Sequence, residues 1–389
     1  MKKIKVILVD VISPHKHTSD GLKDLSELQA LVKTYGGIDV IRVIQHKTAP
    51  DKATFIGSGK VEELLQIVAN PQDSRSPEGS VRHVIINSIV QPAQLFELTK
   101  KLWSVNSNVQ VWDRIDLILN IFEKHAKSAE SKLQIEIARM RHMRFRIYGL
   151  GGTILSRQAG GIGTRGIGET NIERMRRHFK KQIRRKKDQL EKLVKQRQLQ
   201  LQRRHEYGIK TISIIGYTNA GKTSLFNLLT GKQGQVRDAL FVTLDSATGI
   251  LTNPQGLRKS EPANPEGYTI LVSDTIGFIH NLPPSLIDSF RSTLMESIHA
   301  DLIVHVVDIA DEKMEQKIKT VEEILADLGI SGKKQSIVFN KIDKLGGEYY
   351  KTSSSLKKQY SFYNPQFISV NNLQGIEELK LNLKRMLKN

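Results

Sequence analysis

The sequence predicts an α/β fold in three parts: an N-terminal α/β domain over 1–116, a long antiparallel helical hairpin over 117–206, and a C-terminal phosphate-loop α/β domain over 207–389. Three observations predict it. The first part alternates β-branched runs with segments of helical spacing. The second carries two long apolar stripes at three- and four-residue spacing on either side of a glycine-rich stretch. The third sets Gly-x4-Gly-Lys-Thr between a strand signal and a helix signal.

In the first part, Ile4–Val9, Asp39–Gln45, Val84–Asn87 and Val109–Trp112 read as strands, and Gly21–Tyr35, Lys60–Ala69 and Pro92–Trp103 as helices. Strands alternating with helices imply a parallel sheet. Pro71–Ser80 reads as a loop. Gly57-Ser58-Gly59-Lys60 puts a glycine pair before a helix. It fits a phosphate-binding turn or a plain helix entry.

Asp113 to about Tyr148 reads as one long helix with Ala126, Ala129, Leu133, Ile137, Met140 and Ile147 on one side. A second helix spans Glu169–Glu206, its looser stripe running from Ile172 through Phe179, Ile183 and Leu190 to Leu201. Between them, Gly149–Gly168 holds eight glycines in twenty residues. A helical hairpin reverses in 2–5 residues, and glycine costs entropy to order, so a loop of this length is expected to dock into something. This tip loop covers 149–168.

In the third part, Ile212–Ile215 is a buried strand and Ser224–Leu229 a helix. Gly216, Tyr217, Thr218, Asn219, Ala220, Gly221, Lys222 and Thr223 form the loop between. Glycines let backbone N–H groups turn onto phosphate oxygens at a helix N-terminus. Lys222 is placed for β- and γ-phosphates and Thr223 for Mg²⁺. Three further strand ends follow in order. Ile270–Ser273 ends in Asp274-Thr275-Ile276-Gly277. There the acid can hold Mg²⁺ and the Gly277 N–H can meet the γ-phosphate. Gln335–Phe339 ends in Asn340-Lys341-Ile342-Asp343. Phe367-Ile368 ends in Ser369-Val370-Asn371. The Asp343 carboxylate can accept from guanine N1–H and its 2-amino group, whereas adenine would leave it unpaired.

This segment resembles the G domain of the TRAFAC GTPases, a Ras-like fold. That resemblance places the first switch at Phe241, Val242, Thr243, Leu244 and Asp245, with Thr243 closing on Mg²⁺ beside Thr223 and Asp274, and Thr248 the fallback. Lys222, Thr243 and Gly277 are then the catalytic candidates. Phe278 stands where Ras-like enzymes place a water-orienting glutamine, so slow intrinsic hydrolysis is expected.

The chain has 389 residues, 39% of them hydrophobic, which suits two or three domains. It has no cysteine, so it has neither disulfides nor thiol chemistry. Its 11 histidines lack metal-ligand spacing. There is no run of about 18 apolar residues. Met1–Asp10 imitates a signal peptide, but Asp10 ends the apolar run early. A cytoplasmic, monomeric protein is expected, with peripheral membrane association left open. The net charge is +19, and 121–206 hold 23 Lys/Arg against 8 Asp/Glu. That excess on one arm points to a polyanion, and nucleic acid is the commonest.

Across nearly its whole length the chain is similar to HflX-type GTPases. The likeness is carried by Thr54–Leu64, Trp112-Asp113-Arg114, Ser156–Gly166, Gly168-Glu169-Thr170, Phe241–Asp245 and Asp274–Ile279 with Leu282-Pro283. It implies GTP and GDP binding, Mg²⁺, binding to the 50S subunit, and splitting of stalled or idle 70S ribosomes. It also implies rRNA contacts from the tip at Arg157, Gln158, Gly160, Gly161, Gly163, Thr164, Arg165 and Gly166. Ile167 and Asn171 replace the family's usual Pro and Gln, and Val370 its usual Ala. Asn253–Gly267 lengthens the hairpin before Asp274, and the small C-terminal domain of some members looks absent. Two alternatives stay open. One is an ATP-driven RNA remodeller using Gly57–Lys60. The other is a passive RNA-binding protein whose nucleotide site only signals.

Overall fold

The computed structural model describes residues 4–14, 25–69, 81–157, 165–232, 240–241, 246–252, 269–279, 286 and 294–388. By packing, the chain divides into two units. One is Met1–Lys124 with Leu133–Gln189, and the other His125–Lys132 with Leu190–Asn389.

The first unit opens with β1 (Ile4–Ile12), α1 (Ser26–Tyr35), β2 (Gly37–His46), α2 (Ser58–Ala69), β3 (His83–Ile86), α3 (Pro92–Trp103) and β4 (Gln110–Trp112). The sheet order is β2-β1-β3-β4 and every pairing is parallel, as the alternation predicts. Strands covered on both faces need apolar residues on both, and His83–Ile86 is buried at every position. One core joins Ile7, Val9, Ile56, Leu64, Val84, Ile86 and Leu98. The start of α3 is set by Pro92 and by Gln94, whose side chain accepts from the Gln91 N–H at 3.1 Å.

Sequence periodicity predicts one helix from Asp113 to Tyr148, and the structure has two. They are α4 (Arg114–His125) and α5 (Ala129–Arg157). The cause is local capping at Ser128, while Asp113 caps the start of α4. Asp113 Oδ1 accepts from the Asp116 N–H at 2.9 Å, and Asp116 Oδ2 accepts from the Asp113 N–H at 3.1 Å. Ser128 Oγ accepts from the Ser131 N–H at 3.0 Å, which starts a new helix three residues past His125. Helix α6 (Arg165–Glu206) returns beside α5. Glu136 pairs with Lys186 at 2.5 Å, while Glu130, earlier in α5, pairs with Arg197, later in α6, at 3.1 Å. Opposite progress along the two helices makes the hairpin antiparallel. The glycine-rich stretch is shorter as a loop than its composition predicts: α5 continues to Arg157 and α6 resumes at Arg165.

Two polar clusters tie α4 and α5 into this unit. Arg114 donates to Asn87 Oδ1 at 2.8 Å and pairs with Glu27 at 3.4 Å, and Asn87 Nδ2 donates to Asp10 Oδ2 at 2.9 Å. Burial pushes the Asp10 carboxyl up despite these partners. His142 lies 3.1 Å from Asp113 and 3.4 Å from Asp116. Burial alone would lower its pKa, but hydrogen bonds and charge from both aspartates raise it to about 9. The imidazolium thereby occupies the point between two carboxylates that a cation would otherwise take.

The second unit continues with β5 (Lys210–Gly216), α7 (Lys222–Thr230), β6 (Ala247–Ile250), β7 (Ile270–Asp274), α8 (Met295–His299), β8 (Leu302–Asp308), α9 (Met314–Asp327), β9 (Gln335–Asn340), α10 (Tyr349–Gln359), β10 (Gln366–Phe367) and α11 (Ile376–Lys388). The order is β10-β9-β8-β5-β7-β6, parallel except that β6 runs antiparallel to β7. Ile212, Ile214, Val272, Val304, Val306 and Val338 pack against Leu225 and Leu229 of α7 and Leu379 and Leu383 of α11. The strand order reverses at β5, which places the crevice for a ligand at the carboxyl ends of β5, β7, β8 and β9. Among the described residues no helix is long and apolar enough to cross a membrane.

The His142 cluster carries a sign. A folded-state value near 9 against an ordinary 6.5 gives stability that is complete below about pH 6.5 and lost as pH rises through about 9. Urea unfolding should show a loss of up to about 3 kcal/mol across that window. His142→Gln should flatten it.

Candidate functional site: a nucleotide crevice at the strand ends

The loop Gly216–Thr223 follows β5 directly and α7 begins at Lys222. Two glycines in it are steric requirements. Gly216 has φ 145°, and a Cβ there would sit 2.2 Å from the Val306 carbonyl oxygen. Gly221 has φ 99°, and a Cβ would sit 2.2 Å from the Asn340 amide nitrogen. Asn219 is also left-handed, with φ 64°. Tyr217 is buried, with Lys317 Nζ 4.7 Å from its ring centroid. Ala220 and Thr218 are buried.

Lys222 is 6% exposed and its Nζ donates to the Tyr217 carbonyl at 2.6 Å. Burial pushes its pKa down to about 8, which the nearby Asp274 carboxylate partly opposes. A buried cation at a helix N-terminus is a site that an anion relieves. Burial also pushes His305 of β8 down to about 3, with the Lys222 charge adding to the effect, so it stays neutral there.

Thr223 Oγ1 donates to Asp274 Oδ2 at 2.8 Å, and Asp274 is 1% exposed at the end of β7. Two hard oxygen donors from a helix start and a strand end face one another. This donor set fits Mg²⁺, which Thr223 and Asp274 would hold. When bound, that ion would neutralise phosphate charge. Thr275 and Ile276 turn their side chains into the fold, with the Thr275 hydroxyl donating to the Ile214 carbonyl at 2.7 Å. Gly277 leaves its N–H beside the loop: a Cβ there would meet Thr218 Cγ2 at 2.7 Å and Lys222 Nζ at 2.9 Å. Phe278 is 2% exposed and packs inward.

The base pocket is joined to the phosphate loop by side chains. Asn340 Nδ2 donates to the Ala220 carbonyl at 2.9 Å, and Asn340 Oδ1 accepts from the Val370 N–H at 3.2 Å. Lys341, held at φ 69°, donates to the Asn219 carbonyl at 2.8 Å and pairs with Asp308 at 2.7 Å. Ser369 Oγ donates to Asp343 Oδ1 at 2.5 Å and accepts from the Asn372 N–H at 3.1 Å. Ile342 is buried and starts a 3₁₀ turn, while Asp343 and Asn371 are exposed at the mouth. The structure therefore brings together Gly216–Thr223, Asp274, Gly277, Asn340–Asp343 and Ser369–Asn371, as their spacing predicts. Asp308 and Lys317 are additional members. Asp308 carried the same signal as Asp274, an acid closing an apolar strand.

Of the first switch, Phe241 is described: it is buried with φ 58°. Val242, Thr243, Leu244 and Asp245 lie outside the described residues. Thr248 lies in β6. Arg157, Arg165 and Gly166 lie at helix ends flanking the tip, while Gln158, Gly160, Gly161, Gly163 and Thr164 lie outside the described residues. The N-terminal glycine turn is occupied by its own chain: the Gly57 N–H donates to Gln45 Oε1 at 2.8 Å, and Lys60 pairs with Glu63 at 2.6 Å. This disfavours the ATP alternative.

Just past the first switch, Ser246 accepts a hydrogen bond from Arg197 of α6. The same guanidinium reaches Glu130 at 3.1 Å and Glu296 of α8 at 3.4 Å, and Arg204 pairs with Glu296 at 3.2 Å. Glu296 is 5% exposed. These residues line a polar groove of about 420 Å³.

Fold and site together have the form of a phosphate-loop nucleotide-binding protein with strand-end motifs like those of GTPases. Comparison with known proteins narrows the class. Three family models match in sequence order: "GTP-binding GTPase N-terminal" over 23–123, "GTP-binding GTPase Middle Region" over 125–204 and "50S ribosome-binding GTPase" over 211–341. The chain is 41% identical over 344 residues to GTPase HflX of Caldanaerobacter subterraneus, covering 88% of this chain and 73% of that one. It is 37% identical over 325 residues to GTPase HflX of Escherichia coli, covering 83% and 70%. The chain belongs to the HflX GTPase family and hydrolyses GTP. A GTP-binding protein from Sulfolobus solfataricus, solved with GDP, shares the fold at 23% identity and TM-score 0.51, with 99% of each chain covered.

Asp343→Asn should weaken GTP about 10- to 150-fold, the value of one hydrogen bond to a charged group, and leave ATP unchanged. Competition binding with both nucleotides measures it.

Proposed function

We propose that the chain binds the large ribosomal subunit in its GTP state and separates the subunits of stalled or idle 70S ribosomes, hydrolysis serving to release it. The observation carrying this reading is the joining of a cationic, glycine-tipped hairpin to a guanine-nucleotide switch in one chain. The hairpin supplies backbone-phosphate affinity for rRNA, with Arg157 and Arg165 flanking the tip. The 50S-binding description of the matched G-domain model supports the partner.

With GTP bound, Thr243 would join Thr223 and Asp274 in holding Mg²⁺, and the Gly277 N–H would meet the γ-phosphate. The Arg197 cluster offers a route from that switch to the base of the arm. Ser246 follows the switch, while Arg197 and Arg204 stand on α6. A switch that moves Ser246 changes the partners of Arg197, and differential contacts of this kind are what couple two states. Intrinsic turnover is slow because Phe278 cannot orient water, at about the 10⁻⁴–10⁻³ s⁻¹ of unassisted small GTPases, and the ribosome accelerates it. The protein acts as a cytoplasmic monomer.

Sedimentation tests the reading. With a non-hydrolysable GTP analogue, 70S particles should separate into subunits without hydrolysis; intact 70S particles at saturating protein would reject it. Binding should fall by about 10³- to 10⁵-fold between 50 and 200 mM salt if the arm makes 6–10 phosphate contacts. A salt-independent affinity would move the contact elsewhere.

Arg197→Gln tests the coupling. Intrinsic GTP hydrolysis should stay within about twofold while subunit separation drops by about tenfold, a typical coupling magnitude. Equal losses in both assays would count against a relay.

A further inference from the structure

One buried hydroxyl in the nucleotide crevice has no task in the fold. Thr218 is 6% exposed, and its Oγ1 finds no hydrogen-bond partner among the described residues. The other buried threonines among the described residues do not share this state. Thr54 donates to the Ile56 carbonyl, Thr230 to the Phe226 carbonyl and Thr275 to the Ile214 carbonyl, each at 2.7 Å. Buried polar groups are paired in folded proteins, so an exception calls for a physical reason.

The backbone fixes where this hydroxyl sits. The Thr218 N–H donates to the Phe278 carbonyl at 2.8 Å, and the Phe278 N–H donates to the Gly216 carbonyl at 3.1 Å. The phosphate loop and the second switch are thereby zipped as a short parallel bridge between Tyr217 and Phe278. Thr218 Cγ2 and Lys222 Nζ lie 2.7 and 2.9 Å from the point where a Cβ on Gly277 would stand. Thr218, Lys222 and Gly277 converge on one spot. In this fold class that lysine and that glycine N–H meet the γ-phosphate. Phe278, the next residue, is 2% exposed and has no polar side-chain atom.

We propose that Thr218 Oγ1 orients the water that attacks GTP, supplying from the phosphate loop the hydrogen bond that Phe278 cannot supply from the switch. A hydroxyl both accepts and donates. It can accept an O–H of the water while donating to a γ-phosphate oxygen. The water oxygen forms a bond to the γ-phosphorus, and the bond to the β,γ-bridging oxygen breaks. The electron pair of that bond leaves on GDP, and the water proton ends on a phosphate oxygen. Thr218 is unchanged at the end; its contribution is alignment. Its methyl group lies toward Gly277, which limits a β-branched side chain that is already stiff at χ1.

Two substitutions in the full chain separate the hydroxyl from the packing. Thr218→Val keeps the shape and removes the hydroxyl, and Thr218→Ser does the reverse. Binding of a fluorescent non-hydrolysable GTP analogue reports the fold and the affinity, and single-turnover GTP hydrolysis reports the chemistry. Thr218→Val should hydrolyse about 100-fold more slowly, the scale lost with one positioned hydrogen bond, while analogue affinity stays within about twofold. Thr218→Ser should restore most of the rate. A Val variant that turns over at the wild-type rate overturns the proposal. So does one whose analogue affinity falls as far as its rate, because the hydroxyl would then serve binding. A Ser variant as slow as Val would assign the effect to the methyl packing and reject the proposal equally.

Discussion

The side-chain amide of Asn340 is the interaction on which the nucleotide crevice depends. One end donates to the Ala220 carbonyl of the phosphate loop and the other accepts from the Val370 N–H of the last base-binding turn. The group is 2% exposed, so neither bond competes with water. Its nitrogen also fills the space that a side chain at 221 would occupy, which ties the loop's glycine to the guanine motif. Lys341 repeats the connection through Asn219, and Asp308 fixes that lysine. Phosphate grip and base choice are therefore one rigid object. Segments 120 and 30 residues apart are held at fixed spacing before any ligand binds, and preorganisation of this kind spares the entropy of assembling the site on binding.

Lys222 supplies the opposite quality, an unrelieved cost. Burial depresses its pKa to about 8, so the free protein holds its charge at neutral pH against desolvation. The carbonyl of Tyr217 is a dipole and offers only partial compensation. Polyphosphate supplies full countercharge, so the unfavourable term in the free protein becomes a favourable difference in the bound one. The crevice is rigid where it recognises the base and strained where it meets phosphate.

The strand-end motifs were legible in the sequence because each is local. An apolar run ending in Asp274, Asn340 or Ser369 names both its strand and its crevice edge, since carboxyl ends of parallel strands share one side of the sheet. The parallel N-terminal sheet was legible for the same reason. The break at His125–Ser128 was not, because helical periodicity continues through it. It is decided by one capping side chain, Ser128, whose effect competes with apolar spacing rather than adding to it. The glycine stretch misled in the other direction. Glycine disfavours a helix by about 1 kcal/mol each, yet α5 already exists before Gly149, and extending a formed helix costs far less than nucleating one. The role of Asp308 is not legible in the sequence because its partner, Lys341, stands just past a strand end more than thirty residues away.

The same distinction between local and distant contacts bears on how a nucleotide could move an arm. Glu296 is buried and meets two arginines of α6, so its charge is compensated only while the helix stays in place. Truncating or displacing one partner of a buried charge is costly, whereas exchanging partners is not. Arg197 has three acceptors within reach, Glu130, Glu296 and Ser246, and they come from the start of α5, from α8 and from the segment after the first switch. A guanidinium with five donors can shift weight among them without leaving any carboxylate unpaired. A ligand shifts an equilibrium only by its differential affinity for two states, so the relay proposed above requires that ordering of the first switch favour one set of Arg197 partners over another.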